Sequence, residues 1–351
     1  MPGKHSIFDM EEVMRNLIVS LLFLLLVIVT AHTFHTEALA QDASSAAGLY
    51  KQGREAFLKF TPEGFDQAIK LFNQAAQVDP NYAPAYAGLA ETYSFMGWYR
   101  YEVKEDYEKY YNDSYANMVK ALQLGPNMVE TQLALAYTYL HLSREKDAIA
   151  TARKVISMNP NSAEAYYILW DASGGNPDSP DIRKALELDP NYVPALVGLG
   201  NAYFFKKRAY GQAVQLYQKA SDIAPSAQLH RYLGTALRTQ GHYNEAIAEY
   251  QKAIKLNPDY APAHMDLGIT YYYMKKFNES IQTQQKAISL NPNYPDAYFF
   301  IAQGYDSANN PQQAIAYYRK FLEVSIEQEQ YAGYAATAKE RLSALGGGGG
   351  Q

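Results

Sequence analysis

A chain of 351 residues with 48% apolar composition can bury a large core, as two ordinary domains or as one extended array. Its formal net charge of −5 argues against a nucleic-acid surface, which needs clustered cations to neutralise phosphates. Cysteine is absent, so disulfides and thiolate metal sites are excluded.

In chain order, residues 17–31 (LIVSLLFLLLVIVTA) form an unbroken low-polarity run behind Arg15, and Ala38-Leu39-Ala40 stands ahead of Gln41. A positive start, an apolar segment and a small-x-small cleavage site are the order of a secretory signal peptide, expected over 1–40. The run is short for a spanning helix, which needs about 20 residues, and an uncleaved anchor on 17–31 is the alternative. Asp9, Glu11 and Glu12 are foreign to a leader, and a start at Met14 gives a cleaner one. The expectation is an exported chain, periplasmic or extracellular, with any envelope-membrane association made through this segment. A polar linker, 41–48, follows.

Beyond it proline marks a period. Pro80, Pro126, Pro160, Pro190, Pro225, Pro258 and Pro292 are spaced 46, 34, 30, 35, 33 and 34 residues apart, in motifs such as QVDPN, SMNPN and KLNPD. Residues 261–292 are a clean copy. A first helix is predicted over about Pro262–Met274, with Leu267, Gly268 and Tyr271 on one stripe, and a second over about Asn278–Leu290, with Ile281, Ala287 and Ile288. Pro262 falls in the first turn, where a missing N–H costs nothing, and Pro292 stops the second helix. The preceding copy repeats the order with Leu233, Gly234, Leu237, Gly241, Tyr243, Ala246, Tyr250, Ala253 and Pro258. Small residues at the eighth, twentieth and twenty-seventh positions let paired helices approach, and large ones at the fourth, seventh, eleventh and twenty-fourth fill the gaps.

This pattern closely resembles the tetratricopeptide repeat (TPR), a helix–turn–helix unit of about 34 residues. The resemblance covers 49–324 in eight copies, at about 49–80, 83–126, 129–160, 163–190, 193–225, 227–258, 261–292 and 295–324. It implies an all-α, right-handed superhelical solenoid. Copy two holds about twelve extra residues around Trp98–Tyr110, expected to lengthen its second helix or to form a surface insertion. Copy four puts Trp170 at the small eighth position, and 173–181 (SGGNPDSPD) shortens its second helix, as a kink or as decay. A helix over 327–345, with Tyr331, Tyr334, Ala338, Leu342 and Leu345 at helical spacing, is expected to cap the stack. Residues 346–351 read as a flexible glycine tail.

The resemblance implies binding rather than catalysis. In such arrays the first helices line a concave groove, and their positions two, five, nine, twelve and thirteen point into it. The corresponding residues are Phe95, Tyr137, His141, Tyr167, Asn201, Phe204, Phe205, Arg231, Arg238, Met265, Tyr272, Tyr273, Phe299 and Gln303. The expected groove is aromatic, with Arg231 and Arg238 placed to attract an acidic group. Half of the 32 Tyr fall on scaffold positions, so their number is no sign of function. The Lys/Asn carboxylate clamp of some TPR proteins is incomplete: Asn201 comes with Val197, and Arg231 with Thr235.

Signals for catalysis are weak. HExxH, Walker and G-x-G-x-x-G motifs are missing, and the glycines of GLGNAY (198–203) fit small TPR positions with no strand before them. His230 and His264 occupy the large fourth position, where packing is expected; His242 lies in a turn, and His141 could face the groove. These histidines lack metal-ligand spacing. The reading is a non-enzymatic scaffold, with no cofactor and no metal, that takes protein or peptide partners in its groove. The alternatives are an envelope protein that stacks carbohydrate on the same rings, or the regulatory half of an enzyme.

Overall fold

The computed structural model describes residues 44–102, 107–326 and 328–346. The expected leader, the start of the linker and all but the first residue of the glycine tail lie outside them. Among the described residues the chain is all helix and turn, with no strand.

Eight helical hairpins follow one another: α1 (Ala46–Phe57) with α2 (Pro62–Val78), α3 (Ala83–Glu102) with α4 (Glu108–Leu124), α5 (Val129–His141) with α6 (Glu145–Met158), and α7 (Ala163–Ala172) with α8 (Pro180–Leu188). Then come α9 (Val193–Asn201) with α10 (Tyr210–Ile223), α11 (Ala227–Thr239) with α12 (Tyr243–Leu256), α13 (Ala261–Tyr273) with α14 (Phe277–Leu290), and α15 (Pro295–Ser307) with α16 (Pro311–Val324). A 3₁₀ turn (Glu329–Tyr331) leads into α17 (Ala332–Ala344).

Two local devices repeat and explain the sequence motif. At the junction between copies, proline forces the preceding residue out of helical geometry. Where that residue is Asp or Asn, its side chain accepts the backbone N–H two residues on: Asn81 to Asp79 at 2.9 Å, Asn191 to Asp189 at 2.9 Å and Asp259 to Asn257 at 3.1 Å. The D/N-P-N/D signature is thus a helix stop and a turn in three residues. Inside the hairpins, the turn places one residue in the left-handed region: Phe60, Ser143, Arg208, Gly241, Lys275 and Asn309.

Close approach of the paired helices rests on glycine beneath an aromatic. A Cβ on Gly200 would lie 2.6 Å from the Tyr217 ring, and one on Gly234 would lie 2.8 Å from Tyr250. Buried tyrosines at this position bond to the first helix of their own hairpin. The Tyr217 hydroxyl donates to Asn201 Oδ1 (2.6 Å) and the Tyr318 hydroxyl to Asp306 Oδ2 (3.2 Å).

Both irregular copies differ from a regular hairpin in a way that packing explains. In copy four, α8 has 9 residues where α14 has 14. Trp170, 2% exposed, fills the space left, and its indole N–H donates to the Asn176 carbonyl at 2.7 Å. In copy two the expected lengthening of the second helix needs correction. The extra residues extend chiefly the first helix, since α3 has 20 residues and α4 has 17. Gly97 admits the Tyr111 ring, which a Cβ would meet at 2.6 Å, so the two long helices stay together.

The array coils until its first copies meet its later ones. The Phe60 ring lies edge-on to Tyr192 at 6.2 Å. Arg54 on α1 pairs with Glu91 on α3 and reaches Glu164 on α7 at 2.7 Å. Tyr99, near the end of α3, packs with Ala227 and Tyr260 at the starts of copies six and seven.

Candidate functional site

This coiling encloses a chamber of about 430 Å³. One wall comes from the hairpin-turn edge of the early copies. Phe60 and Phe65 flank the α1–α2 turn, Phe95, Trp98 and Tyr99 stand on the second half of α3, and His141 ends α5. Tyr167 and Asp171 add the last turns of α7. The opposite wall is the junction edge of the later copies: Val193 and Val197 on α9, Leu229 and Tyr232 on α11, and Tyr260 and Tyr294 just before α13 and α15. The chamber therefore exists because α3 is long and because the spiral closes.

Polar side chains share the lining with the rings, among them Glu63, Arg100, His141, Asp171, Gln228 and Asp259. His141 Nδ1 is hydrogen-bonded to the Ser94 hydroxyl, and its ring lies 5.1 Å from Phe95 and 6.1 Å from Tyr137. Burial among these rings lowers its pKa to about 4, so the imidazole is neutral near pH 7. The Asp171 carboxyl is held above its usual range by burial, and the Tyr167 hydroxyl donates to it over 3.4 Å. Among the described residues no group of three or more His, Asp or Glu is arranged to hold a metal ion.

The groove residues expected from the repeat pattern separate into three groups. Tyr137 (0% exposed), Met265 and Phe299 are covered, so at these positions the expected groove contact gives way to packing. Tyr137 bonds hydroxyl to hydroxyl with Tyr192, and Phe299 stacks on Tyr334 of α17 at 4.4 Å and 4°. Phe95, His141 and Tyr167 line the chamber. The rest lie along copies five to eight. Asn201 is held by Tyr217, which accounts for that half of the incomplete clamp. Arg231 Nε donates to Asp266 Oδ2 at 2.6 Å and Arg238 lies 3.7 Å from the same carboxylate, so two cations share one buried anion. Gln303 is half-buried on α15.

Past Asn201 the first helix of copy five runs into a π-helical turn, Ala202–Lys207. It sets Phe204 4.8 Å from Phe205, which is 72% exposed. Farther along, a strip of rings runs over copies six to eight: Tyr243 stacks on Tyr273 (6.4 Å, 6°), Tyr273 meets Phe300 (6.2 Å), and Phe300 meets Tyr334 (6.1 Å). Tyr272 joins it 5.3 Å from Phe300. Tyr273 and Tyr334 are 49% and 37% exposed. Sequence reasoning missed Tyr334 as a wall residue and Phe300 as the buried ring packed against it, and also Phe60, Trp98 and Asp171. Only the extra length of copy two drew attention to Trp98. Phe300 stands one position past the groove register, and Tyr334 belongs to the helix read as a cap.

A stack of helical hairpins with a coiled inner wall is a solenoid built for contact. Repeat models described as "TPR repeat" and "Tetratricopeptide repeat" match residues 234–275, and 129–162, 261–294 and 295–325, respectively. The chain is a tetratricopeptide-repeat protein. Superkiller complex protein 3 of Mus musculus is 27% identical over 253 residues, which is 68% of this chain and 15% of the relative. PEX5-related protein of Mus musculus is 26% identical over 227 residues, 64% of this chain and 34% of the relative. The chain thus spans about a third or less of these curated relatives. Among solved structures, the APC/C hetero-tetramer Cut9–Hcn1 superposes with a TM-score of 0.66 at 18% identity, covering 86% of this chain and 57% of that one. Pseudomonas aeruginosa pilF gives 0.51 at 17% identity, covering 60% and 97%. At these identities the likeness is one of fold.

Proposed function

We propose that this chain is a non-enzymatic scaffold that holds a segment of a protein or peptide partner against the inner wall of copies six to eight. The observation that carries this reading is the strip Tyr243–Tyr273–Phe300–Tyr334, in which Tyr243, Tyr273 and Tyr334 stay partly exposed around the buried Phe300 ring; Tyr273 and Tyr334 lie near Arg238, and the exposed rings offer apolar area with little side-chain entropy to lose. Two relatives carry the names of complex components, Superkiller complex protein 3 and Anaphase-promoting complex subunit 7, which agrees with a scaffold. Export to the cell envelope is part of the proposal and is supported by the order Arg15, apolar 17–31, Ala38-Leu39-Ala40.

The test is a cross-linking pull-down from native envelopes with wild type and Tyr273→Ala/Tyr334→Ala. Capture falls at least about tenfold in the double variant while helicity by circular dichroism is unchanged, since two partly buried anchors contribute roughly 1–2 kcal/mol or more. Undiminished capture rejects the strip as the contact. Sequencing the native N-terminus tests export: a chain beginning at Gln41 is expected, and one that retains 17–31 in a cytosolic fraction contradicts it.

A further inference from the structure

The chamber is separate from the strip on copies six to eight, and its chemistry is different. We propose that it is a binding site for a compact organic cation, an ammonium group carried on an apolar or aromatic body, with the cation at Asp171 and the body among the rings.

Three observations lead there. The first is size: about 430 Å³ lies within the range of roughly 300–1,000 Å³ that small-ligand sites occupy. The second is the wall. Trp98, Tyr99, Tyr167, Tyr232 and Tyr260 supply π-systems from both sides of the chamber, and aromatic faces attract cations most strongly when water is excluded.

The third is charge. Among the described residues, Glu63, Asp171 and Asp259 line the chamber with one cation, Arg100, whose guanidinium lies 5.8 Å over the Tyr110 ring of its own hairpin. Lys286 lies 3.9 Å from Asp259, in an exposed pairing. His141 adds no positive charge near neutral pH. Lys206, which attracts Asp171, donates its ammonium hydrogens to the Gly174 and Gly175 carbonyls. A carboxylate can accept about four hydrogen bonds, and the half-buried Asp171 receives one long one from Tyr167. A neutral or anionic occupant would cover this carboxylate without giving it a charged donor, whereas an ammonium supplies one.

The probe is 2-phenylethylammonium, titrated into the full chain and followed by calorimetry and tryptophan emission. Trp98 is one of two tryptophans, and the other, Trp170, is buried in the neighbouring wall. One saturable site with altered emission is expected. 2-Phenylethanol, of the same shape without the charge, binds at least about tenfold more weakly, as does the ammonium to Asp171→Asn, because a charge-assisted hydrogen bond is worth about 1.5 kcal/mol or more. A hexapeptide with one Lys, compared with its Ala counterpart, separates the sources of the cation. Tighter binding of the Lys peptide than of the free amine assigns the site to a polypeptide side chain, and the reverse order assigns it to a free amine. No saturable binding up to about 10 mM amine, or equal affinity for amine and alcohol, overturns the proposal. If Asp171→Asn lowers the melting temperature, the amine–alcohol comparison on the wild type decides alone. Partner capture through Tyr273 and Tyr334 is unaffected by either result.

Discussion

Single residues set how closely the hairpins approach. Gly200 and Gly234 are required because Tyr217 and Tyr250 lie across them, and Gly200→Ala forces the ring or the helix to move. The expected cost is about 1–3 kcal/mol, read as a lower urea midpoint at an unchanged m-value. His141 makes a pH prediction. Its folded pKa of about 4 lies below the ordinary 6.5, so the unfolded chain takes up a proton first as pH falls. The stability it contributes is full above pH 6.5, is lost between about 6.5 and 4, and levels off below, with a total on the order of 3 kcal/mol. His141→Gln is expected to flatten that limb of the stability profile, and parallel limbs would contradict the burial. The small and large positions of the repeat were legible in the sequence because periodicity reports which face a side chain takes. The partners of the Tyr217 and Tyr318 hydroxyls were not, since periodicity says nothing about which atoms meet across that face.

At the level of elements, an apparent defect turns out to be a compensation. Trp170 reads in the sequence as a violation of a small position, and the short α8 reads as a second fault. In the fold each corrects the other, because the indole occupies the volume of the missing turns. Trp170→Ala should therefore cost about 3–5 kcal/mol, near the full value for an aromatic deleted from a core, as measured by chemical denaturation. A cost below about 1 kcal/mol would show that copy four is loosely packed. Arg341 of α17 grips Asp306 of α15 with two hydrogen bonds, at 2.7 and 2.8 Å, and holds that carboxylate below its usual range. Arg341→Ala is expected to speed amide exchange in α17 while leaving copies one to six unchanged. The extension of copy two was read onto its second helix, whereas most of it lengthens the first. WYRYEVKEDYEKYY carries no Pro, Gly or Asn to mark where α3 ends, so its boundary depends on what α3 packs against.

For the whole molecule, the array was visible in the sequence and its closure was not. Equal spacing reveals that copies stack, but the curvature is a sum of small rotations, and two of the eight copies are irregular. Closure decides which groove residues remain available. Phe95 and Tyr167 face a chamber rather than an open channel, since Phe60 meets Tyr192 and Tyr99 meets the start of copy seven. The free inner wall is thereby confined to the later copies. The absence of cysteine makes this directly measurable, because Lys59→Cys and Asn191→Cys place two spin labels beside the Phe60–Tyr192 contact without touching it. Double electron–electron resonance should give one narrow distance of no more than about 30 Å, the limit set by chain and side-chain reach on either side of that contact. A broad distribution centred well beyond it would mean an open spiral with no chamber.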